Sequence, residues 1–177
     1  MKIESNFTIG DVRGFMDGYL LRERDLLAGR LERIGDEIAR LAPLVRKTEN
    51  ADPEWNAHEI LAHIAVVAKF YGVMVHRIAS GKMTEIALVD SVNLRDVAGS
   101  QTAEQSNEMI AEAARADIAR TVQALRGADA AGLRRTARID DGTTMTAEEV
   151  ARFPLITHLE AHVDDLKKLV AGISSGF

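Results

Sequence analysis

The sequence predicts an all-α protein, a four-helix bundle, on three observations. A long N-terminal stretch carries an apolar seam at helical spacing, and a second stretch is apolar around nearly its whole circumference. Two later stretches open on capping boxes, and no convincing strand pattern stands among the four. At 177 residues, 46% of them hydrophobic, residues 1–177 are expected to form a single domain whose core needs no cross-links.

The first helix is expected over residues 8 to 47. Thr8 is its N-cap with Asp11 three residues on, and Leu20, Leu27, Leu31, Ile34, Ile38, Leu41 and Val45 then form the seam. Charges from Arg22 to Arg40 fill the opposite side and read as a solvated face. Gly14 and Gly18 mark a place for a break, and the polar cluster Thr48 to Pro53 marks the turn that ends the seam.

The second helix is expected from about Glu54 to Ala79, with Ser80-Gly81 ending it. Ile60, Leu61, Ile64, Val67, Tyr71 and Met74 are among the apolar positions that surround it, which implies burial on several sides. His63, one place before Ile64 and one turn before Val67, points toward the interior or its edge. His58 reads as exposed near the helix start, and His76 sits near the helix end, beside the C-terminal dipole.

Residues 82 to 101 form a connection long enough to cross the bundle or to hold a short helix. Thr102 and Gln105 then cap a third helix that runs to about Leu125, with Met109, Ala113, Ala116, Ile118, Val122 and Leu125 inward, and Gly127 stops it. Residues 128 to 143 read as a loop or small hairpin. Their arginines, Arg134, Arg135 and Arg138, read as surface balanced by nearby carboxylates, with an anionic substrate group as the alternative. Thr146 and Glu149 cap the last helix, which Pro154 must bend or restart before it continues over Leu159, Val163, Leu166 and Val170 to Gly172.

Composition excludes several classes of function. A formal charge of −5 offers no basic face for nucleic acid. Zero cysteines exclude disulfides, thiolate ligands and a cysteine nucleophile, so any metal must be held by His, Asp or Glu. Neither a signal core nor a run of about eighteen apolar residues occurs, which leads to the expectation of a soluble, cytoplasmic protein without a membrane partner.

His158 and His162 are four apart and project from one helix face, the separation at which two imidazoles hold one ion. Two histidines leave a zinc-like ion short of ligands, and His63 is the natural third. His58-Glu59-x-x-x-His63 is not a zinc-protease motif, because five residues turn roughly 500° and point the two rings about 140° apart. The alternative is that all three histidines merely fill a core.

Trp55-x-x-His58-Glu59-Ile60-Leu61-Ala62-His63-Ile64, Val89-Asp90-Ser91-Val92-Asn93 and His158-x-x-x-His162, in this order and spacing, resemble the DinB/YfiT-like family over essentially the whole chain. The resemblance implies a four-helix bundle of up-down-down-up order, usually a homodimer, with a divalent metal such as zinc or nickel on His63, His158 and His162. It also implies kinship with S-transferases and isomerases that use an exogenous low-molecular-weight thiol, mycothiol or bacillithiol.

Three neutral imidazoles leave an ion its full charge and an open position, where it can lower the pKa of a bound water or thiol. Metal-bound histidines usually donate their second N–H to a carboxylate or carbonyl. Glu59, one turn before His63, and Asp165, three residues after His162, are the acids placed to accept, and are ordinary solvated acids otherwise. The leading expectation is a metal-dependent enzyme acting on a small-molecule substrate, a thiol S-transferase or a hydrolase. The alternatives are a non-catalytic metal- or ligand-binding stress-response module of the same fold, and a metal-free bundle.

Overall fold

Thr8 opens the first helix as its spacing to Asp11 predicts. Its hydroxyl accepts the Asp11 N–H at 3.2 Å, while Asp11 Oδ2 accepts the Thr8 N–H at 2.7 Å. The computed structural model describes residues 8–46, 55–87 and 98–174. The turn expected at 48–53 and the motif at 89–93 lie outside the described residues.

Helix α1 spans Ile9–Leu41 with no break at Gly14 or Gly18. An isolated helical glycine costs about 1 kcal/mol relative to alanine, too little to interrupt a long helix capped at one end and packed at the other. Leu27, Leu31, Ile34, Ile38 and Leu41 are buried, and after a 3-10 turn at Ala42–Leu44 the seam closes on Val45. The opposite face is not simply solvated. Arg24 donates to the Ala128 carbonyl, and Glu23, Arg30 and Glu32 pair with residues of later helices.

Helix α2 spans Ala57–Ala79 and begins later than expected, because Asn56 and Glu59 form a capping box. Asn56 Oδ1 accepts the Glu59 N–H at 3.0 Å, and Glu59 Oε2 accepts the Asn56 N–H at 2.9 Å. By length and composition α2 is apolar enough to cross a membrane, and 78% of its most apolar window is buried within the fold. Gly81 follows in the left-handed region at φ +73°, which turns the chain away from the helix.

The capping box expected at Thr102 does not form. Residues 98–102 are helical, and the Thr102 hydroxyl donates to the Ala98 carbonyl at 2.8 Å. Ser106 caps helix α3, Asn107–Gly127, instead. Its buried face holds Ile110, Ala111, Ala114, Ile118, Thr121, Val122 and Leu125. Met109 is 58% exposed and Ala113 is also exposed. Nine and five residues before Ile118, they lie roughly 180° and 140° from it around the helix.

A short helix α4, Ala130–Arg134, leads into a hairpin, one of the two forms expected of this stretch, and a further strand outside the expected architecture joins it. Strand β1, Glu85–Ile86, pairs in parallel with β2, Thr136–Ile139, which forms an antiparallel hairpin with β3, Thr144–Thr146. Such short strands carry little pattern of their own, and the pairing of Ile86 with Ile139 joins distant parts of the chain. The basic cluster is largely balanced as expected. Arg134 pairs with Asp17 and Arg138 with Glu85, while Arg135 donates to the Ala79 carbonyl.

The Thr146–Glu149 capping box starts helix α5, Ala147–Val150. The helical run does not restart at Pro154. Residues Ala151–Thr157 form a π-helical segment that runs directly into α6, His158–Ser174. Pro154 has no N–H and its ring crowds the carbonyl four residues back, and a wider turn relieves both. Within that turn the Thr157 hydroxyl donates to the Arg152 carbonyl, five residues back, at 2.8 Å.

Cross-helix partners give the order and direction of the bundle. On α2 and α3, His58 meets Asn107 and Gly72 meets Thr121, so these helices run parallel. On α1 and α3, Val45 meets Asn107 and Glu32 meets Arg126, so these are antiparallel. The pairs Glu23–Arg152 and Arg30–Glu160 make α1 parallel to the final helical run. The bundle is therefore up-down-down-up, and the long connection before α3 is what a parallel pair requires.

His58 is the clearest departure from expectation. It is only 3% exposed, because its Nδ1 lies 2.6 Å from Asn107 Oδ1 and its Nε2 lies 2.7 Å from the Ala103 carbonyl oxygen. Asn107 Nδ2 in turn donates to the Val45 carbonyl at 2.8 Å, so one buried network ties the end of α1 to the starts of α2 and α3.

Candidate metal centre

His63 projects from the buried face of α2, and His158 and His162 project one turn apart from the start of α6. Their ring nitrogens meet. His63 Nε2 lies 3.3 Å from His158 Nε2, and His158 Nε2 lies 2.9 Å from His162 Nε2. One nitrogen from each ring falls within 4.8 Å of the others, so the group can hold a metal ion.

The donor chemistry fits such an ion. Two nitrogens each about 2.0 to 2.1 Å from one metal lie roughly 2.9 to 3.4 Å apart at tetrahedral or octahedral angles. His158 Nε2 is close to both neighbours, yet an imidazole nitrogen is either one donor or one acceptor. Hydrogen bonding therefore satisfies one of its two contacts, whereas a shared cation accepts all three lone pairs.

The two α6 histidines owe their placement to the turn before them. The π-helical segment sets the phase in which α6 begins, and buried Leu155, Ile156 and Leu159 hold it against the core. Two ion-pair sites fasten the same run to α1. Arg30 grips Glu160 in a bidentate pair at 2.8 and 2.5 Å, and Arg152 bridges Glu23 at 2.7 Å and Glu148. Hydrogen bonds donated by Arg30 to Glu160, and by Arg152 to Glu23 and then Glu148, hold both guanidiniums above their ordinary range.

Glu59 and Asp165 fare differently from each other. Glu59 uses its carboxylate to cap α2 and is exposed. Asp165 Oδ2 lies 4.0 Å from His162 Nδ1, on the ring edge opposite the cluster, while its Oδ1 accepts from Lys168 at 3.0 Å. His76 is exposed near the end of α2 and takes no part.

Sequence reasoning did not assign roles to two aromatic residues beside the cluster. Trp55 packs against His63 with ring centroids 4.6 Å apart and against His162 at 6.1 Å. Tyr71, two turns after His63 on the same helix, lies 6.3 Å from His158. That eight-residue spacing was the available signal for Tyr71.

A family model for the DinB superfamily matches residues 19–166. The chain belongs to the DinB superfamily. Among curated proteins, none matches significantly. The fold of this DinB protein is similar to the crystal structure of the mycothiol-dependent maleylpyruvate isomerase, with a TM-score of 0.65 at 19% identity. It matches a histidine-to-alanine variant of that enzyme at a TM-score of 0.64 and the same identity. In both comparisons 82% of the DinB chain is covered, and it spans 60% of the length of the structure it matches.

Proposed function

We propose that this DinB protein is a divalent-metal-dependent enzyme that activates a low-molecular-weight thiol at His63, His158 and His162 for reaction with a small electrophilic substrate. The convergence of the three Nε2 atoms carries the reading. Fold likeness to an isomerase described as mycothiol-dependent supports the choice of a thiol. Zinc or nickel suits an all-imidazole set.

A divalent ion held there supplies Lewis acidity that makes a thiol or water more acidic near neutral pH. The protein's own contribution is to orient three neutral imidazoles and to hold His63 in a buried wall. In the transfer, the thiol S–H gives its proton to solvent and sulfur bonds to the electrophilic carbon, with departure of a leaving group in an S-transferase. In a hydrolase, water takes the place of the thiol.

A second reading is a non-catalytic metal- or ligand-binding stress-response module of the same fold. A cytoplasmic homodimer belongs to the proposal as well. Exposed Val12, Phe15, Met16 and Tyr19 on α1 support the dimer, and sedimentation tests it.

Untagged protein should contain about one metal per chain by elemental analysis. Loaded protein should consume an electrophile only when mycothiol or bacillithiol is supplied. Metal without turnover across a panel of thiols and electrophiles favours the module, and no metal after incubation with zinc, nickel and manganese overturns the enzyme and leaves a ligand-binding module.

A further inference from the structure

Trp55 is the only tryptophan in the chain and stands immediately before the Asn56 cap of α2. Its indole packs against the rings of two proposed ligands, yet it remains 50% exposed. The other aromatic neighbour, Tyr71, is buried at 8% exposed, as is His63, whereas His158 and His162 are partly exposed. Solvent therefore reaches the cluster on the side where Trp55 lies.

A half-exposed indole is a large apolar surface left in water, and covering it with another ring is favourable. We infer that Trp55 is a stacking platform for the metal centre, taking the apolar, ring-bearing part of a thiol whose sulfur reaches the three histidines. This rests on the metal-and-thiol reading and adds a substrate class to it: thiols with a ring or flat apolar face are held in preference to short aliphatic ones. No bond forms or breaks at Trp55, which acts through binding alone.

The test uses full-length protein loaded with cobalt(II) and titrated with benzyl mercaptan or 2-mercaptoethanol, following the near-ultraviolet thiolate-to-cobalt absorption. Trp55→Ala should weaken benzyl mercaptan about tenfold, the scale of one aromatic pair, and leave 2-mercaptoethanol unchanged. Trp55→Phe should recover most of the loss. Equal weakening of both thiols marks a structural role and overturns the inference, as does no weakening of either.

Failure of the underlying reading appears separately. Cobalt binding should quench the fluorescence of wild-type Trp55 and give a visible spectrum before any thiol is added. Absence of that spectrum overturns the metal reading itself. Cobalt uptake with no spectral response to either thiol leaves the metal site standing and overturns the thiol assignment together with the platform.

Discussion

Gly72 of α2 and Thr121 of α3 approach so closely that a Cβ on Gly72 would lie 2.2 Å from Thr121 Oγ1. Thr121 is buried and donates that hydroxyl to the Asp117 carbonyl one turn back, at 2.9 Å. The pair sets how near the two parallel helices can come. Gly72→Ala should destabilise the protein by about 1 to 3 kcal/mol, the usual range for overpacking. Thr121→Ala placed on top of it should recover part of that loss, and additive losses in denaturant unfolding would contradict the close contact.

The triad makes a sharper prediction. His63→Ala, His158→Ala and His162→Ala should each lose tight metal binding, whereas His76→Ala should keep about one metal per chain, as counted by elemental analysis. Full metal content in any triad variant would remove that residue from the site.

Acid should act in two separable windows. Metal is released first, as acid protonates the imidazoles, which must be neutral to bind. The second window belongs to carboxylates held below their ordinary range, Asp11 by the Thr8 backbone N–H and Glu37 by Arg40. Their contribution to stability is present above the ordinary carboxylate range and is lost as pH falls through the lowered values. Metal content and helicity followed together against pH should show the first falling well before the second.

His58→Ala should cost about 2 to 3 kcal/mol, because it opens a cavity and strips the Ala103 carbonyl and Asn107 of a partner. The melting temperature should fall by roughly 5 to 10 °C while metal content is unchanged. Loss of metal without loss of stability would instead link His58 to the centre.

Pro154→Ala restores the missing N–H and removes the ring that favours a wide turn. The segment should tighten toward ordinary helical winding and rotate His158 and His162 relative to His63. Metal affinity should then fall about tenfold while apo stability holds or rises. An unchanged affinity would show that the packing of Leu155 and Ile156 sets the π turn.

How much of this was legible depended on how local each determinant is. The α1 seam from Leu27 to Val45, the boxes at Thr8 and Thr146 and the pairing of His158 with His162 depend on neighbours within one or two turns, so spacing alone reveals them. The Asn56–Glu59 box has the same kind of signal. Thr102 and Ser106 are both acceptable caps, by contrast, and only packing of the segment before α3 chose Ser106.

The sequence by itself determined a helical bundle and three histidines able to share an ion, because helical periodicity and side-chain chemistry are written residue by residue. Tertiary structure decided that His58 is buried, that β1 pairs with β2, that Pro154 widens the helix and that Trp55 leans on the cluster. Each of those depends on groups that meet only after the chain has folded, His58 with Asn107 and Ile86 with Ile139, and a contact between distant residues leaves no period to read.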